Sequence, residues 1–297
     1  MELDIDNAPS CSFGRKVDIG GNSIIQLFEA QVIKSPHAIA ISGDGCQKIS
    51  YEKLNHMASK VQNIITRKIF PDDYFVVRLL PASVDFLVCQ LAILKSGLTH
   101  APLDPGNLLT TLIKNIASLP KPLVITRKNL AFHFTIPDNA SVLYLDDVEC
   151  DEAEGQIELR LPGIITTSIG YSPLFFFTSG STGEPKGVHV RNSSLLNVVN
   201  VACETYSLHD NVERCIFFFS TGFDMAFYQT WPFLTTGGTI VIPPASLRTD
   251  MVGLHKFLQT ESITVAIFPA LVAFSLVQSL EQFSTLFVRY LSRYHQM

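Results

Sequence analysis

Apolar residues fall along this chain in two patterns: short unbroken runs, and longer stretches with three- and four-residue spacing. Residues 23–33 carry Ile24, Leu27, Phe28 and Val32 on one helical face. Ser35-Pro36 ends that helix, and Ala38-Ile-Ala-Ile41 starts a strand that runs out at Gly43-Asp-Gly45. Ile49-Ser-Tyr51 predicts a short strand, with Ser50 placed to cap a helix over residues 52–67. Tyr74-Phe-Val-Val-Arg-Leu-Leu80 reads as a buried strand, and residues 83–95 as an apolar helix closed by Gly97. Residues 99–103 are extended and turn at Asp104-Pro-Gly106; residues 108–118 form the next helix and Pro122-Leu-Val-Ile-Thr126 the next strand. Strands alternating with helices imply right-handed crossovers and mostly parallel sheets, hence an α/β fold.

Two stretches admit more than one reading. Residues 262–280 hold no formal charge over 19 positions, long enough to cross a bilayer. Pro269 divides them, however, so that Ile263-Thr-Val-Ala-Ile-Phe268 predicts a strand and residues 270–280 a helix behind a favourable N-terminal proline. Residues 146–158 carry seven acids and no base, without the alternating spacing of a calcium loop, and read as a solvated connection. That connection divides the chain into an N-terminal tail (1–22), a first α/β subdomain (23–160) and a second (161–297).

Composition narrows the function classes. The chain has 297 residues, 47% of them apolar, and 22 Lys plus Arg against 27 Asp plus Glu. It is apolar enough to build a core and lacks the basic footprint of a nucleic-acid protein. The six cysteines are scattered without a metal-binding spacing, and residues 1–22 contain no apolar signal segment. The expected setting is therefore the cytoplasm, with reduced thiols and no membrane partner.

The segment richest in chemistry is Leu174-Phe-Phe-Phe-Thr-Ser-Gly-Ser-Thr-Gly-Glu-Pro-Lys-Gly-Val188. An apolar strand leads into four hydroxyls (Thr178, Ser179, Ser181, Thr182), with Gly180, Gly183 and Gly187 interspersed and Lys186 near the end. Glycines let backbone N–H groups approach an anion, hydroxyls donate to phosphate oxygens, and a lysine adds a mobile positive charge. The Gly-Lys-Ser/Thr step of a Walker A loop is missing, as is a Gly-x-Ser-x-Gly nucleophile elbow. Composition alone leaves a phosphate cradle and a flexible Ser/Gly turn both open.

Thr178-Ser-Gly-Ser-Thr-Gly-Glu-Pro-Lys-Gly187 resembles the signature loop of adenylate-forming, AMP-binding enzymes: acyl-CoA synthetases, luciferases and the adenylation domains of nonribosomal peptide synthetases. The resemblance runs from about residue 23 to residue 292. It includes Ile49-Ser-Tyr-Glu-Lys-Leu54, Leu94-Lys-Ser-Gly-Leu-Thr-His-Ala-Pro-Leu-Asp-Pro105, and Phe223-Asp-Met-Ala226 with Gly237-Gly-Thr-Ile-Val-Ile242. It implies the N-terminal part of that family's large domain, stacked α/β subdomains in which early elements pack with those after Val190. It also implies a ligase reaction in which a carboxylate attacks the α-phosphate of MgATP and the acyl-adenylate passes to a thiol, such as the phosphopantetheine of a carrier protein. By resemblance Thr178, Ser179, Gly180, Ser181, Thr182, Gly183 and Lys186 bind the phosphates. Asp224 pairs with the α-ammonium of an amino-acid substrate, Met225, Tyr228 and Ile267 line the side-chain pocket, and Phe223 supports it. The residues themselves leave Asp224 open to a second reading as a helix N-cap, and Tyr228 as ordinary core.

The chain departs from the family pattern in places. Ala226 replaces a serine, Asn192 stands where relatives carry a histidine, and no role transfers to Asn192, His189 or the lone His100. Phe287-Val-Arg-Tyr-Leu-Ser292 resembles a strand that relatives continue with Gly-Gly-Glu, whereas here Arg293-Tyr-His-Gln-Met297 follows. The expectation is a chain incomplete for catalysis, without the adenine platform, the Mg2+-associated and ribose-binding segments, or the lid lysine. Two functions follow: amino-acid activation, or a non-catalytic, regulatory nucleotide-binding role.

Overall fold

The computed structural model describes residues 23–43, 48–68, 75–131, 135–150, 172–178, 185–208, 212–280 and 290–291. Along the chain come α1 (Ile24–Lys34), β1 (Ile39–Gly43), β2 (Ile49–Ser50), α2 (Tyr51–Lys68), β3 (Phe75–Leu79), α3 (Val84–Lys95), β4 (Thr99–Leu103), α4 (Leu109–Ala117) and β5 (Leu123–Thr126). A short α5 (Lys128–Ala131), β6 (Ser141–Tyr144) and α6 (Leu145–Cys150) follow, then β7 (Leu174–Thr178), β8 (Lys186–Val190), α7 (Asn192–Tyr206) and β9 (Arg214–Ile216). The chain continues through α8 (Asp224–Tyr228), α9 (Trp231–Leu234), β10 (Thr239–Ile242), α10 (Met251–Thr260), β11 (Val265–Ala266), α11 (Ala270–Leu280) and β12 (Tyr290–Leu291).

Local chemistry accounts for the helix boundaries. Ser23 and Gln26 form a reciprocal capping box at the start of α1, and the Ser50 hydroxyl accepts from Lys53 N (3.2 Å) at the start of α2. Ser83 caps α3 by accepting from Phe86 N (3.2 Å), and Gly97 leaves that helix at φ 71°. Helix α3 is buried continuously from Phe86 to Lys95. A helix without a solvent face belongs between layers, and α3 packs there against α2.

The strands form two six-stranded sheets, ordered β6-β5-β3-β4-β7-β8 and β12-β11-β9-β10-β1-β2. All pairings are parallel except the edge pairs β7–β8 and β1–β2. Strand β7 lies beside β4, so the first sheet is built within residues 75–190, whereas β1 lies beside β10 and the second sheet joins strands from both ends of the chain. This is the early-with-late packing that the family resemblance implied.

Three apolar cores separate the layers. The largest takes Ile41 and Ile240 from one sheet, Val76 and Leu174 from the other, and α1, α2, α3, α7 and α9 between them. A second lies on the far face of the β3 sheet under α4, and a third on the far face of the β9 sheet under α10 and α11. In the central layer Lys95 is buried and donates to Glu29 (2.7 Å), which joins α3 to α1.

Tyr51, also in that layer, is fully buried and donates to Gly238 O (2.7 Å), tying α2 to the turn before β10. Burial pushes its phenol far above the usual value, so it remains a neutral donor. Tyr51→Phe should cost about 1–2 kcal/mol, because it leaves a buried carbonyl without its donor. Urea unfolding checks this, and an unchanged midpoint would show that the bond contributes nothing.

Two expectations change. The acidic stretch does not begin as a loop: its residues 146–150 lie in α6, while residues 151–158 lie outside the described set. Leucine at the head of α6 is buried, and Asp146 and Asp147 occupy the first turn, where negative charge suits the helix dipole. The uncharged stretch from residue 262 is divided at Pro269 as predicted, although its strand shortens to Val265–Ala266. No helix among the described residues is long and apolar enough to cross a membrane.

Candidate functional site

The two arms of the hydroxyl-rich loop form an antiparallel ladder. Thr178 pairs with Lys186, Phe177 with Gly187, Phe175 with His189 and Leu174 with Val190. The turn holding Ser179, Gly180, Ser181, Thr182 and Gly183 lies outside the described residues. Thr178 and Lys186 frame that turn, both exposed, with the Thr178 hydroxyl donating to Lys186 O (3.3 Å).

Strand alternation assigns the ladder's faces. Leu174, Phe176 and Val190 pack into the central core, so Thr178 and Lys186 share the face turned toward the second sheet. The opposite face carries Phe175, whose ring centroid lies 5.1 Å from those of Phe75 and Phe177 and 4.8 Å from that of His189. His189 is therefore an aromatic-packing residue on the side away from Lys186. A Cβ at Gly187 would stand 1.9 Å from Phe175 Cζ, so only glycine lets β8 close over this cluster.

The Pro-Leu-Asp-Pro motif lies on the neighbouring strand. His100 of β4 pairs with Leu174 of β7; counting four residues on from each, Asp104 comes level with Thr178. The Asp104 carboxylate turns toward the other sheet. Its Oδ2 accepts from Ser220 Oγ (2.5 Å) and Thr221 N (3.2 Å), while Oδ1 accepts from Gly106 N (2.8 Å). Residues 220–222 leave the carboxyl end of β9, and Asp104 leaves the carboxyl end of β4, so the two parallel sheets meet at the ends where α/β proteins bind ligands.

Helix α8 begins just past that junction. Phe223 occupies its N-cap position with no side-chain capping bond, and Asp224 is the first helical residue. Asp224 is exposed and lies one position past the N-cap, which removes the capping role, while Ala226 and Phe227 of the same helix are buried. Phe223 is 53% exposed and stacks on Phe219 (6.2 Å, 21°). Met225 and Tyr228 are half-buried against the central core, and Ile267 is buried in it. Tyr228 sets its ring edge on Tyr206 at 6.2 Å.

Sequence reading missed the groups that hold this region together. Gln229 is fully buried; its Oε1 accepts from Phe218 N and Phe219 N (2.9 Å each), and its Nε2 donates to Ile267 O (2.7 Å). The ends of β9 and β11 are thereby fixed to α8. Arg78 is buried within β3 and donates to Thr221 O (2.9 Å). A lone charge inside the apolar run from Tyr74 to Leu80 was the available signal. His100, left without a role by the sequence, is fully buried in β4, and its burial, reinforced by Arg78, holds the imidazole neutral.

The described residues contain no cluster of three or more His, Cys, Asp or Glu side chains able to hold a metal ion. They include a small cleft beside Ile24, Leu94 and Leu195, which none of the predicted site residues lines.

Comparisons with known proteins agree with this architecture. Residues 28–292 match the family described as AMP-binding enzyme. One component of the linear gramicidin synthase of Brevibacillus parabrevis is 31% identical over 235 residues, which are 79% of this chain and 3% of that protein. Cyclosporin synthetase simA of Tolypocladium inflatum is 27% identical over 249 residues (83% and 2%), and the dimodular nonribosomal peptide synthase of Bacillus subtilis (strain 168) is 28% identical over 244 residues (81% and 10%). The chain thus spans a tenth or less of the length of these relatives. The crystal structure of the nonribosomal peptide synthetase FmoA3 superimposes with a TM-score of 0.76 at 21% identity, covering 89% of this chain and 27% of that one. A family match across 265 positions, on two parallel sheets whose carboxyl ends meet beside a hydroxyl- and glycine-rich hairpin, is decisive: the chain belongs to the AMP-binding enzyme family.

Proposed function

We propose that this chain binds ATP through the β7–β8 hairpin and activates the carboxylate of an amino acid as its adenylate. The observation that carries this reading is the Asp104 junction. Its bonds to Ser220 and Thr221 join the strand ends bearing Thr178 and Lys186 to the turn that leads into Asp224 at the head of α8. The exposed Lys186 and Thr178 at the two ends of the turn, with the hydroxyls and glycines of its sequence, suit the triphosphate whose pyrophosphate must leave. The exposed carboxylate of Asp224 is suited to a substrate ammonium, and the half-buried Met225 and Tyr228, backed by the buried Ile267, are apolar groups suited to its side chain.

Support comes from relatives that are peptide synthetases and from FmoA3, which is known in an AMPPNP-bound form and an α-methyl-L-serine-AMP-bound form. Mg2+ fits this reading as an ion carried on the nucleotide's phosphates, since it commonly needs few protein ligands. A phosphopantetheine thiol on a carrier protein is the acceptor we propose for the acyl group. The chain's own residues then bind and orient the nucleotide and the amino acid, which converts an encounter of two reactants into an aligned attack.

Amino-acid-dependent exchange of labelled pyrophosphate into ATP tests the proposal. Asp224→Ala should raise the amino-acid KM by about ten- to a hundredfold, the loss of one charge-assisted contact, with the KM for ATP unchanged. Nucleotide binding without exchange, for every amino acid tried, would instead identify a regulatory nucleotide binder.

A further inference from the structure

Arg78 is a cation in a place where the packing does not require one. In β3 it lies between Val77 and Leu79, which face the outer core, so its side chain enters the layer between the sheets. It is 1% exposed. The guanidinium carbon stands 3.3 Å from the Phe86 ring centroid, and Nη1 donates to Phe86 O (3.3 Å). Nε has no hydrogen-bond partner. Burial pulls the group well below its usual value, and the charge of Asp104 opposes that shift. The neighbouring Cys89 thiol is pushed up to about 12, chiefly by burial, so it supplies no thiolate counter-charge at neutral pH. A guanidinium nonetheless stays protonated there.

Burying such a charge is commonly no better for stability than an apolar side chain of similar shape. What Arg78 adds is direction. Its Nη2 donates to Thr221 O (2.9 Å) across 143 positions of sequence, while Asp104 accepts from Thr221 N (3.2 Å) and Ser220 Oγ. Thr221 is therefore gripped at its carbonyl by β3 and at its amide by the end of β4, three residues before Asp224. The space behind the turn is closed as well: a Cβ on Gly222 would come within 3.0 Å of Asp104 N.

We infer that Arg78 is a positioning residue which, by holding the Thr221 carbonyl, fixes where Asp224 presents its carboxylate to the substrate ammonium. The inference rests on the reading of Asp224 given above. Arg78 touches neither reactant; it acts through the turn at residues 220–222. Methionine at position 78 keeps the packing volume and removes the donor, whereas lysine keeps the charge and one donor but loses the fork.

Hydrogen exchange of the whole chain, read by peptide mass spectrometry, tests this alongside pyrophosphate exchange. Arg78→Met should speed exchange in residues 220–228 by about tenfold, the loss of one charged hydrogen bond, with β3 and β4 as protected as in the wild type. The amino-acid KM should rise with the ATP KM unchanged, and Arg78→Lys should recover part of both effects. If Arg78→Met does not fold, Arg78→Lys is read by itself against the wild type, with the same regional loosening expected. Unchanged protection at 220–228, or loosening spread equally over β3, β4 and that turn, would overturn the inference. A wild-type chain without amino-acid-dependent exchange would overturn the role of Asp224, and the substrate half of this inference with it. The hydrogen-exchange pattern would still decide by itself whether Arg78 holds the turn.

Discussion

Lys186→Ala is expected to weaken ATP binding by about 1–3 kcal/mol, roughly five- to 150-fold in Kd, the range for losing one charge-assisted contact to phosphate. The effect should be confined to the ligand. Lys186 is exposed at the first position of β8, and what its residue contributes to the hairpin is backbone: the register pair with Thr178 and the carbonyl that accepts the Thr178 hydroxyl. Alanine preserves both. Melting should therefore be unchanged while calorimetric affinity falls, and the difference from wild type should shrink as salt is added, because an exposed charge is screened. Wild-type affinity in a folded Lys186→Ala chain would remove the lysine from the phosphate site.

Gly43→Ala should have the larger effect on stability. Gly43 closes β1 at φ 102°, a conformation side chains rarely adopt, and lies opposite Ile242 of β10. A Cβ there would stand 2.2 Å from Ile242 O and 2.8 Å from Ile242 N. These are backbone atoms of a buried strand and cannot swing aside as the tip of a side chain could. Backbone strain of about 1–3 kcal/mol then adds to separation of the parallel β1–β10 pair, for a total above about 3 kcal/mol and a fall in Tm on the order of 10 °C. A wild-type melting curve for Gly43→Ala would mean that β1 and β10 do not pair in the stated register.

Much of the fold was legible because its elements carry local signals. Capping serines at positions 23, 50 and 83 mark helix starts, and apolar runs at β3 and β5 mark strands buried on both faces. Strand β8 carries no such mark. Its Lys-Gly-Val-His-Val sequence is mostly exposed and contains a glycine, so it is held by pairing with β7 and by the Phe175 ring over Gly187. The exposure of Asp224 was equally hidden, since an aspartate at the head of a five-residue helix has the same local sequence whether it faces solvent or a pocket. Gln229 carried no signal either, because its three partners sit on two strand ends that are distant in sequence.

The sequence by itself determined the strand–helix alternation and the chemistry of the loop between residues 178 and 186. Both depend on backbone preferences and side-chain types within a few neighbouring positions. Only the tertiary structure decided which strands share a sheet, that His189 turns away from Lys186, and that Asp104 and Arg78 hold Thr221 from separate strands, 117 and 143 positions away. Those contacts join residues with no common periodicity, and they arise because two sheets bury their inner faces against one helical layer. Packing across that layer, rather than any local pattern, brings the β7–β8 hairpin and Asp224 to the same end of the molecule.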